Sequence, residues 1–219
     1  MMANLNKLFF RKPFRYKFFN ATLILILINI AVYIFSCLSK NLNIKTICSL
    51  NVVCINYYHM FWQFVTYMFV HGSFSHIFFN MLGLLMFGTY LEKAIGSKEF
   101  LLFYFVCGIF SGIFSYIFYS ITHQYYAFLM GASGAIYAVL FAYAVVYPNS
   151  VIHIWGIIPV PAPILVLLYA IIEFLSEFFG SRQGVAHITH LFGFFVAWLY
   201  FVVRMGIHPI KIWKNAYKK

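Results

Sequence analysis

Residues 130–147 read MGASGAIYAVLFAYAVVY, an apolar stretch that contains no charged side chain. Its length is close to the ~20 residues that cross the ~30 Å hydrocarbon core of a bilayer. Because backbone groups in lipid must hydrogen-bond within their own segment, the stretch predicts a membrane-spanning helix. Its small residues predict a face on which a second helix approaches closely, and they are Gly131, Gly134 and Ala138.

The composition of the whole chain is that of a multi-span membrane protein. Of its 219 residues, 64% are hydrophobic and 9% are charged, whereas soluble domains are about half apolar and roughly a quarter charged. This excludes an ordinary soluble domain. Six hydrophobic stretches predict an all-α membrane protein, a bundle of six transmembrane helices at 20–38, 74–90, 100–120, 130–147, 160–179 and 187–203.

The basic residues predict how this bundle is oriented. The formal net charge is +11, and the charge is concentrated in a flank at 1–18 and a tail at 204–219, on either side of a membrane domain at 19–203. Because basic flanks stay in the cytoplasm, both termini are predicted to be cytoplasmic. The charge thus reflects topology and predicts no nucleic-acid partner. The residues concerned are Lys7, Arg11, Lys12, Arg15, Lys17, Arg204, Lys211, Lys214, Lys218 and Lys219.

The long connection at about 39–61 is predicted to lie on the outer side. It is rich in aromatic residues, which favour the membrane interface, so we expect a partly embedded loop or short helices. Lys40 and Lys45 run against the charge rule. Cys48 and Cys54 either form a disulfide there or remain free thiols. The first hydrophobic stretch has no clear cleavage site and is expected to be a retained signal anchor.

Polar side chains from three predicted spans fall at one depth. With both termini inside, spans two, four and six all enter from the outer face. Ser133 and His190 then lie in the first turn of spans four and six. His76 and Asn80 lie in the first two turns of span two, so at ~1.5 Å per residue all four sit in the outer third of the membrane. Polar groups inside a bilayer usually face a cavity or one another.

These residue types match the parts of a serine peptidase site. Ser133 is a candidate nucleophile and His190 its candidate base. His76 and Asn80 share a helix face and both donate hydrogen bonds, as an oxyanion hole requires, with the Ser133 amide as a third donor. Tyr137, one turn deeper than Ser133, is placed to stack on His190. The chain has no aspartate and no His-Glu-x-x-His, which excludes an aspartyl pair and the common zinc-protease helix.

Two features bear on how the base is held. The carboxylates near this depth are Glu173 and Glu177, so a Ser–His dyad is favoured over a triad. The two glutamates are either a functional pair or, as we prefer, residues that extend from the outer end of span five to water. Gly193 and Ala197 form a small-residue pair on span six that permits close helix approach.

Other interpretations stay open from the residues alone. A serine beside glycines in a membrane helix is usually a packing residue. His187 lies three residues before His190, so spacing does not choose between them. His71 fits a structural hydrogen-bond network as well as a site. Histidines on several helices also suit haem ligation or proton transfer, although neither explains the Gly-x-Ser-Gly spacing.

From about residue 62 to 198 the chain resembles the rhomboid family of intramembrane serine proteases. Any one block of the resemblance is weak, and the four blocks in this order are specific. They are WQFVT at 62–66 followed by HIFFNM at 76–81, Gly88 to Gly96 followed by Tyr104 and Gly108, GASGAIY at 131–137, and AHITHLFG at 186–193.

The resemblance implies a six-helix core and a role for each candidate residue. Ser133 is implied to be the nucleophile and His190 the general base. His76 and Asn80 are implied to line the oxyanion hole, and Tyr137 to pack against the base. The small residues Gly131, Gly134 and Gly193 are implied to support the site.

The resemblance also selects between the two histidines and shows where this chain departs from the family. The family histidine precedes the first small-motif glycine by three residues, which selects His190 over His187. Gln63 stands where the family often has an arginine that braces the outer loop. Ala197 replaces the usual second glycine, and Phe192 occupies a position that is often glycine.

The function implied is that of a serine endopeptidase that cleaves transmembrane or membrane-proximal segments whose helices are easily unwound. No cofactor and no metal are expected. The chain is expected to span a membrane several times, by analogy the bacterial plasma membrane, with its site open to the outer face and lateral entry near Phe174, Phe178 and Phe179. The alternative is a non-proteolytic rhomboid-like protein that binds and routes transmembrane helices.

Overall fold

The computed structural model describes residues 13–39, 43–154, 156–180 and 186–218. All candidate site residues lie within these ranges. Four sequence-predicted topology markers lie outside the described residues, together with residues 181–185 of the connection before span six. These markers are Lys7, Arg11, Lys12 and Lys219, and Lys40 of the outer loop is likewise outside.

Helices make up most of the fold. In chain order the elements are α1 (Ala21–Leu38), α2 (Ile44–Cys48), α3 (Val52–Tyr58), α4 (Gln63–Thr66), α5 (Phe74–Gly83), α6 (Thr89–Ile95), α7 (Ser97–Ile121), α8 (Ser133–Val146), β1 (Val151–Ile154), β2 (Ile158–Pro161), α9 (Ala162–Phe179), α10 (His187–Tyr200) and α11 (Pro209–Ala216). A 3-10 turn, Tyr67–Phe69, follows α4. One π-helical turn, Leu84–Gly88, joins α5 to α6, and another, Phe201–Met205, extends α10.

Five helical segments of the described chain are long and apolar enough to cross a bilayer. They are Ala21–Leu38, Phe74–Ile95, Ser97–Ile121, Ala162–Phe179 and His187–Met205. The prediction of a helical membrane bundle is confirmed. The remaining predicted span is α8, whose 14 residues make a helix about 21 Å long, shorter than a ~30 Å hydrocarbon core. The count of six spans stays a prediction.

Helix α8 lies at the centre of the bundle. It packs against α7, α9, α10 and the π-helical turn after α5. Most of its residues are buried, and many are small, including Gly134, Ala138 and Ala142. Small side chains let neighbouring helices approach closely where lipid supplies no hydrophobic driving force. The first turn of α8, with Ser133, is thereby enclosed by elements from several parts of the chain.

The connection at about 39–61, predicted to be the outer loop, contains the short helices α2 and α3, one of the two forms expected for it. Gln63 is fully buried and braces this loop. Its Oε1 accepts from Asn51 N at 3.0 Å, and its Nε2 donates to the carbonyls of Thr46 and Ile47 at 3.3 and 3.1 Å. The glutamine therefore links the two ends of the loop. Cys48 and Cys54, both within the described residues, are free thiols.

Two features of the fold, a β-hairpin and a tail helix, were not predicted from the sequence. Strands β1 and β2 form an antiparallel hairpin between α8 and α9. In the tail, α11 packs on the end of α8, where Trp213 Nε1 donates to Ala144 O at 2.9 Å. Tyr217 donates its hydroxyl to Pro148 O at 2.9 Å. The basic tail therefore includes a docked helix.

Glu92 caps the first helix from a distance. It is 1% exposed, and its carboxylate accepts from Ala21 N at 2.6 Å and from Thr22 N and Oγ1 at 2.9 and 2.7 Å. Ser97 Oγ is a further donor. The residue before α1, Asn20, makes no side-chain cap. A carboxylate at a helix N-terminus satisfies free amides and complements the helix dipole, so Glu92 fixes α1 against α6 and α7.

Glu99 joins the start of α7 to the end of the sixth predicted span. It is 1% exposed, and its two oxygens accept from Arg204 Nε and Nη2, both at 2.9 Å. Tyr200 donates its hydroxyl to the same carboxylate at 2.5 Å, and Phe14 N lies 3.3 Å away. This buried ion pair ties three segments together at the end of the bundle opposite Ser133.

We expect Glu92→Gln to lower the free energy of unfolding by about 3 kcal/mol, because the amide NH₂ would face the buried N–H and O–H donors that the carboxylate now satisfies. Unfolding of the purified protein in mild detergent measures the change. Lys93→Gln is the matched control, since its exposed side chain lies on the same helix and its substitution should change stability by less than about 0.5 kcal/mol. Equal stability of the two variants would contradict the capping role.

Candidate active site

Ser133 and His190 meet where two helices begin. Ser133 is the first residue of α8, and His190 lies in the first turn of α10. Ser133 Oγ lies 2.8 Å from His190 Nε2, which is hydrogen-bond distance. His190 is 7% exposed. A hydroxyl bonded to a buried imidazole is the arrangement in which the ring nitrogen can take the hydroxyl proton.

The close approach of α8 and α10 sets this distance. A methyl group added to Gly193 would collide with the backbone oxygen of Gly134. A methyl group on Gly134 would in turn lie 3.0 Å from Thr189 Cγ2. Thr189 Oγ1 is also 2.7 Å from Ser115 Oγ, which adds a buried polar contact to α7. The two glycines therefore let the helix backbones come close enough for Ser133 to reach His190.

Tyr137 holds the imidazole from one side. Its ring is stacked on His190, with the centroids 4.1 Å apart and the planes inclined by 6°. Phe194 packs edge-on against Tyr137, with centroids 5.2 Å apart. The stacking restricts rotation of the His190 ring, which keeps Nε2 directed at Ser133.

A carboxylate lies on the other side of the imidazole. Glu173 on α9 is 5% exposed, and its Oε1 is 3.0 Å from His190 Nδ1. Oε2 is 2.5 Å from His187 Nδ1, and the hydroxyl of Tyr137 also donates to this carboxylate. The interpretation of Glu173 as a residue reaching to water is therefore wrong, because its carboxylate points into the bundle.

Glu177 likewise accepts a hydrogen bond from within the protein rather than extending to water. Its Oε2 accepts from Ile188 N at 3.0 Å, at the N-terminus of α10. The sequence indicates that both glutamates lie near the right depth but does not identify their partners. The signal that points to them is their spacing of four residues, which places both on the face of α9 that meets α10.

A sharp turn before α8 brings the second polar pair beside the serine. Gly131 has φ of +113°, a conformation that residues with a Cβ rarely adopt. A methyl group built on it would lie 2.6 Å from His76 Nε2 and 3.4 Å from Asn80 Nδ2. Gly131 N donates to Tyr67 O at 2.8 Å, which anchors the turn. The turn thus leaves room for both α5 side chains next to Ser133.

Asn80 carries a donor without a partner. It is 7% exposed, and its buried Nδ2 makes no hydrogen bond to any described residue. An unsatisfied buried amide costs about 1–3 kcal/mol, so a buried donor without a protein partner calls for an explanation such as a catalytic role or a bound water. Asn80 Nδ2 and His76 Nε2 both lie beside Gly131, two residues before Ser133 in the chain.

His71 lies behind this pair. It is fully buried, and its ring packs edge-on against that of His76 with the centroids 5.1 Å apart. Burial, and next the nearby His76 ring, lowers the pKa of His71 to about 4, so this ring is neutral at pH 7. A neutral ring there supports His76 without adding a positive charge to the site.

A family model described as the rhomboid domain matches residues 58–206. The chain belongs to the rhomboid family. The match covers every site residue described above, from His71 to Gly193. With its apolar helices, membership makes this an integral, multi-pass membrane protein.

Curated relatives come from several organisms. Rhomboid protease AarA of Providencia stuartii is 28% identical over 197 residues, covering 78% of this chain and 68% of AarA. Rhomboid protease GlpG of Haemophilus influenzae is 29% identical over 131 residues, 59% of this chain and 64% of GlpG. RHOMBOID-like protein 12, mitochondrial, of Arabidopsis thaliana is 29% identical over 153 residues, 61% of this chain and 44% of that protein. This chain thus matches between two fifths and about two thirds of the length of these relatives.

Three side chains in the rhomboid site are of metal-binding types. Ligand atoms of Glu173, His187 and His190 all lie within 4.8 Å of one another. Glu173 Oε2 and His187 Nδ1 are 2.5 Å apart, however. Two ligands of a tetrahedral zinc ion stand roughly 3.3 Å apart, given Zn–N and Zn–O distances of about 2.0–2.2 Å. The observed spacing is that of hydrogen-bonded partners.

We expect Gly193→Ala to separate α10 from α8, because the new methyl group would meet the Gly134 carbonyl oxygen. Overpacking of this kind lowers the free energy of unfolding by about 1–3 kcal/mol. Gly72→Ala is the control, since its methyl group would meet nothing closer than 3.5 Å. Thermal unfolding in detergent compares the two. A Gly193→Ala protein as stable as Gly72→Ala would show that the helix contact tolerates a methyl group.

Proposed function

We propose that this rhomboid family member is an intramembrane serine endopeptidase that cleaves transmembrane or membrane-proximal segments of other membrane proteins. The observation that carries the proposal is the 2.8 Å separation of Ser133 Oγ and His190 Nε2. The relatives named rhomboid proteases support the same activity. The contact between Gly193 and Gly134 holds the Ser133 hydroxyl against a buried imidazole. This favours a reactive site over a serine that serves only in packing.

The chemistry follows from the pair. His190 Nε2 takes the proton of Ser133 as Oγ attacks the scissile carbonyl, and an acyl-enzyme forms through a tetrahedral intermediate. His190 then gives that proton to the leaving amine. Water completes the cycle by attacking the acyl group, with His190 again as the base, and Ser133 is regenerated.

The donors beside Ser133 fit the developing negative oxygen. His76, Asn80 and the Ser133 amide would bind the oxyanion, and the partnerless Nδ2 of Asn80 supports this assignment. Donors fixed in advance act strongly in a site sheltered from water, where removing one typically costs 10²–10³ in rate. The oxyanion would supply the acceptor that Asn80 lacks.

The proposed substrate is a transmembrane segment that unwinds readily. A helix hides its carbonyls in its own hydrogen bonds, so small or helix-breaking residues near the cut should favour cleavage. The distribution of lysine and arginine supports cytoplasmic termini and a site that opens to the outer face of, by analogy, a bacterial plasma membrane. Because the same basic residues are explained by topology, we expect no nucleic-acid partner.

We propose that substrates enter beside α9. Phe174 and Phe178 are half exposed, with ring centroids 4.8 Å apart, and Phe179 is 79% exposed. Replacing Phe174 and Phe178 by alanine should raise the rate of cleavage of a membrane-spanning substrate severalfold, because less side-chain volume would bar the way. Phe195→Ala on α10 is the control, since Phe195 is also exposed. Unchanged or slower cleavage by the double variant would rule out this entry route.

The nucleophile is tested with a fluorophosphonate probe on purified protein in detergent. We expect labelling of the wild type and none of Ser133→Ala or His190→Ala, because the first lacks the nucleophile and the second its base. Circular dichroism and thermal unfolding would verify that each preparation is folded. A folded wild type that is not labelled would refute the protease and support the helix-binding alternative.

A further inference from the structure

Glu173 is an unusual residue for its position. Its neighbours on α9, Ile172 and Phe174, are exposed by 54% and 50%, as expected of a lipid-facing helix, whereas Glu173 is 5% exposed. A carboxylate placed within a membrane helix is costly and generally marks a functional group or its partner. This one lies between α9, α8 and α10, beside the ring that contacts Ser133.

We propose that Glu173 is a positioning residue for His190, which extends the Ser133–His190 pair to a Ser133–His190–Glu173 triad. The proposal rests on the proposed function of the Ser133–His190 pair. A neutral imidazole has one N–H donor and one acceptor nitrogen. With Nδ1–H directed at Glu173, Nε2 is left free of a proton and able to accept from Ser133 Oγ. When Nε2 takes that proton, the resulting cation is paired with a carboxylate that itself stays ionised.

The carboxylate is held in place by two other donors. The Tyr137 hydroxyl donates to Oε1, and His187 Nδ1 lies 2.5 Å from Oε2. An ionised carboxylate has about four acceptor positions, so Oε1 retains one for His190. Tyr137 thus contacts both other groups: its ring stacks on His190, and its hydroxyl donates to Glu173.

The approach to His190 is close but oblique. Nδ1 is 3.0 Å from Oε1, although the N–H direction is off the line of a good hydrogen bond. The same Nδ1 is buried and has no other hydrogen-bond partner among the described residues. No other acceptor among the described residues competes for this N–H. Glu173 is therefore the group that can select the protonated nitrogen.

Glu177 provides the comparison that distinguishes positioning of His190 from helix packing alone. It lies one turn further along α9 on the same face, and its Oε2 accepts from Ile188 N at 3.0 Å. Both carboxylates join α9 to α10, and Glu173 is the one that approaches the His190 ring. If the carboxylates only hold the helices together, their replacement by glutamine should have similar effects.

The test measures the second-order rate of fluorophosphonate labelling for wild type, Glu173→Gln and Glu177→Gln, all purified in detergent. The probe is small, so labelling does not depend on entry of a substrate helix. We expect Glu173→Gln to label at least about 10²-fold more slowly, because its amide can hold His190 in the wrong tautomer, an effect that reaches about 10⁴ in serine proteases. Glu177→Gln should label at the wild-type rate.

Two rate outcomes overturn the proposal. One is a Glu173→Gln protein that labels as fast as the wild type. The other is an equal loss in both glutamine variants, which would assign the effect to helix packing. Failure of the proposed function is distinct, since it appears as a folded wild type that is not labelled, or as Ser133→Ala that is.

A second measurement needs no variant of Glu173 and no catalysis. The ¹⁵N spectrum of histidine-labelled wild type, with the His190 signals assigned by their loss in His190→Ala, reports which ring nitrogen carries the proton. The Nδ1–H tautomer at neutral pH is the expected result. The Nε2–H tautomer would overturn the proposal even if Glu173→Gln failed to fold.

Discussion

A carboxylate buried in an apolar bundle is tolerated only where donors or a cation surround it, and the helices of this protein are arranged around that requirement. The chain has four acidic residues, all glutamate. Each connects two or more segments: Glu92 caps α1, Glu99 pairs with Arg204, and Glu173 and Glu177 join α9 to α10. Breaking such a contact leaves uncompensated polar groups, so each contact fixes the relative position of its helices.

The geometry of the site depends on these carboxylate contacts and on two glycines, whose lack of a side chain lets α8 and α10 approach. Glu173 and Tyr137 hold His190 from two sides, and the contact of Gly193 with Gly134 brings α10 against α8. In lipid the helices gain little from excluding water, so packing distance and hydrogen bonding decide how they associate. The same forces that stabilise the bundle therefore determine the separation of Ser133 from His190.

Local sequence patterns, such as the length of hydrophobic stretches and the spacing of small and polar residues, predicted much of the fold. Hydrophobic length located the helices, and the small residues at 131–138 predicted a face on which a second helix approaches closely. The depth argument put Ser133, His190, His76 and Asn80 at one level, where the structure has them as neighbours; their roles stay predictions. The hairpin β1–β2, the docked helix α11 and the partners of Glu173 were not predicted. Each depends on contacts between residues distant in the chain, which neither hydropathy nor spacing records.

The tail helix has a mechanical consequence. Helix α8 is anchored at both ends, by the Gly131–Tyr67 hydrogen bond before its first residue and by Trp213 on the Ala144 carbonyl near its last. Removing α11 would therefore release the contact that holds α8 at Ala144, about 16 Å along the same helix from Ser133.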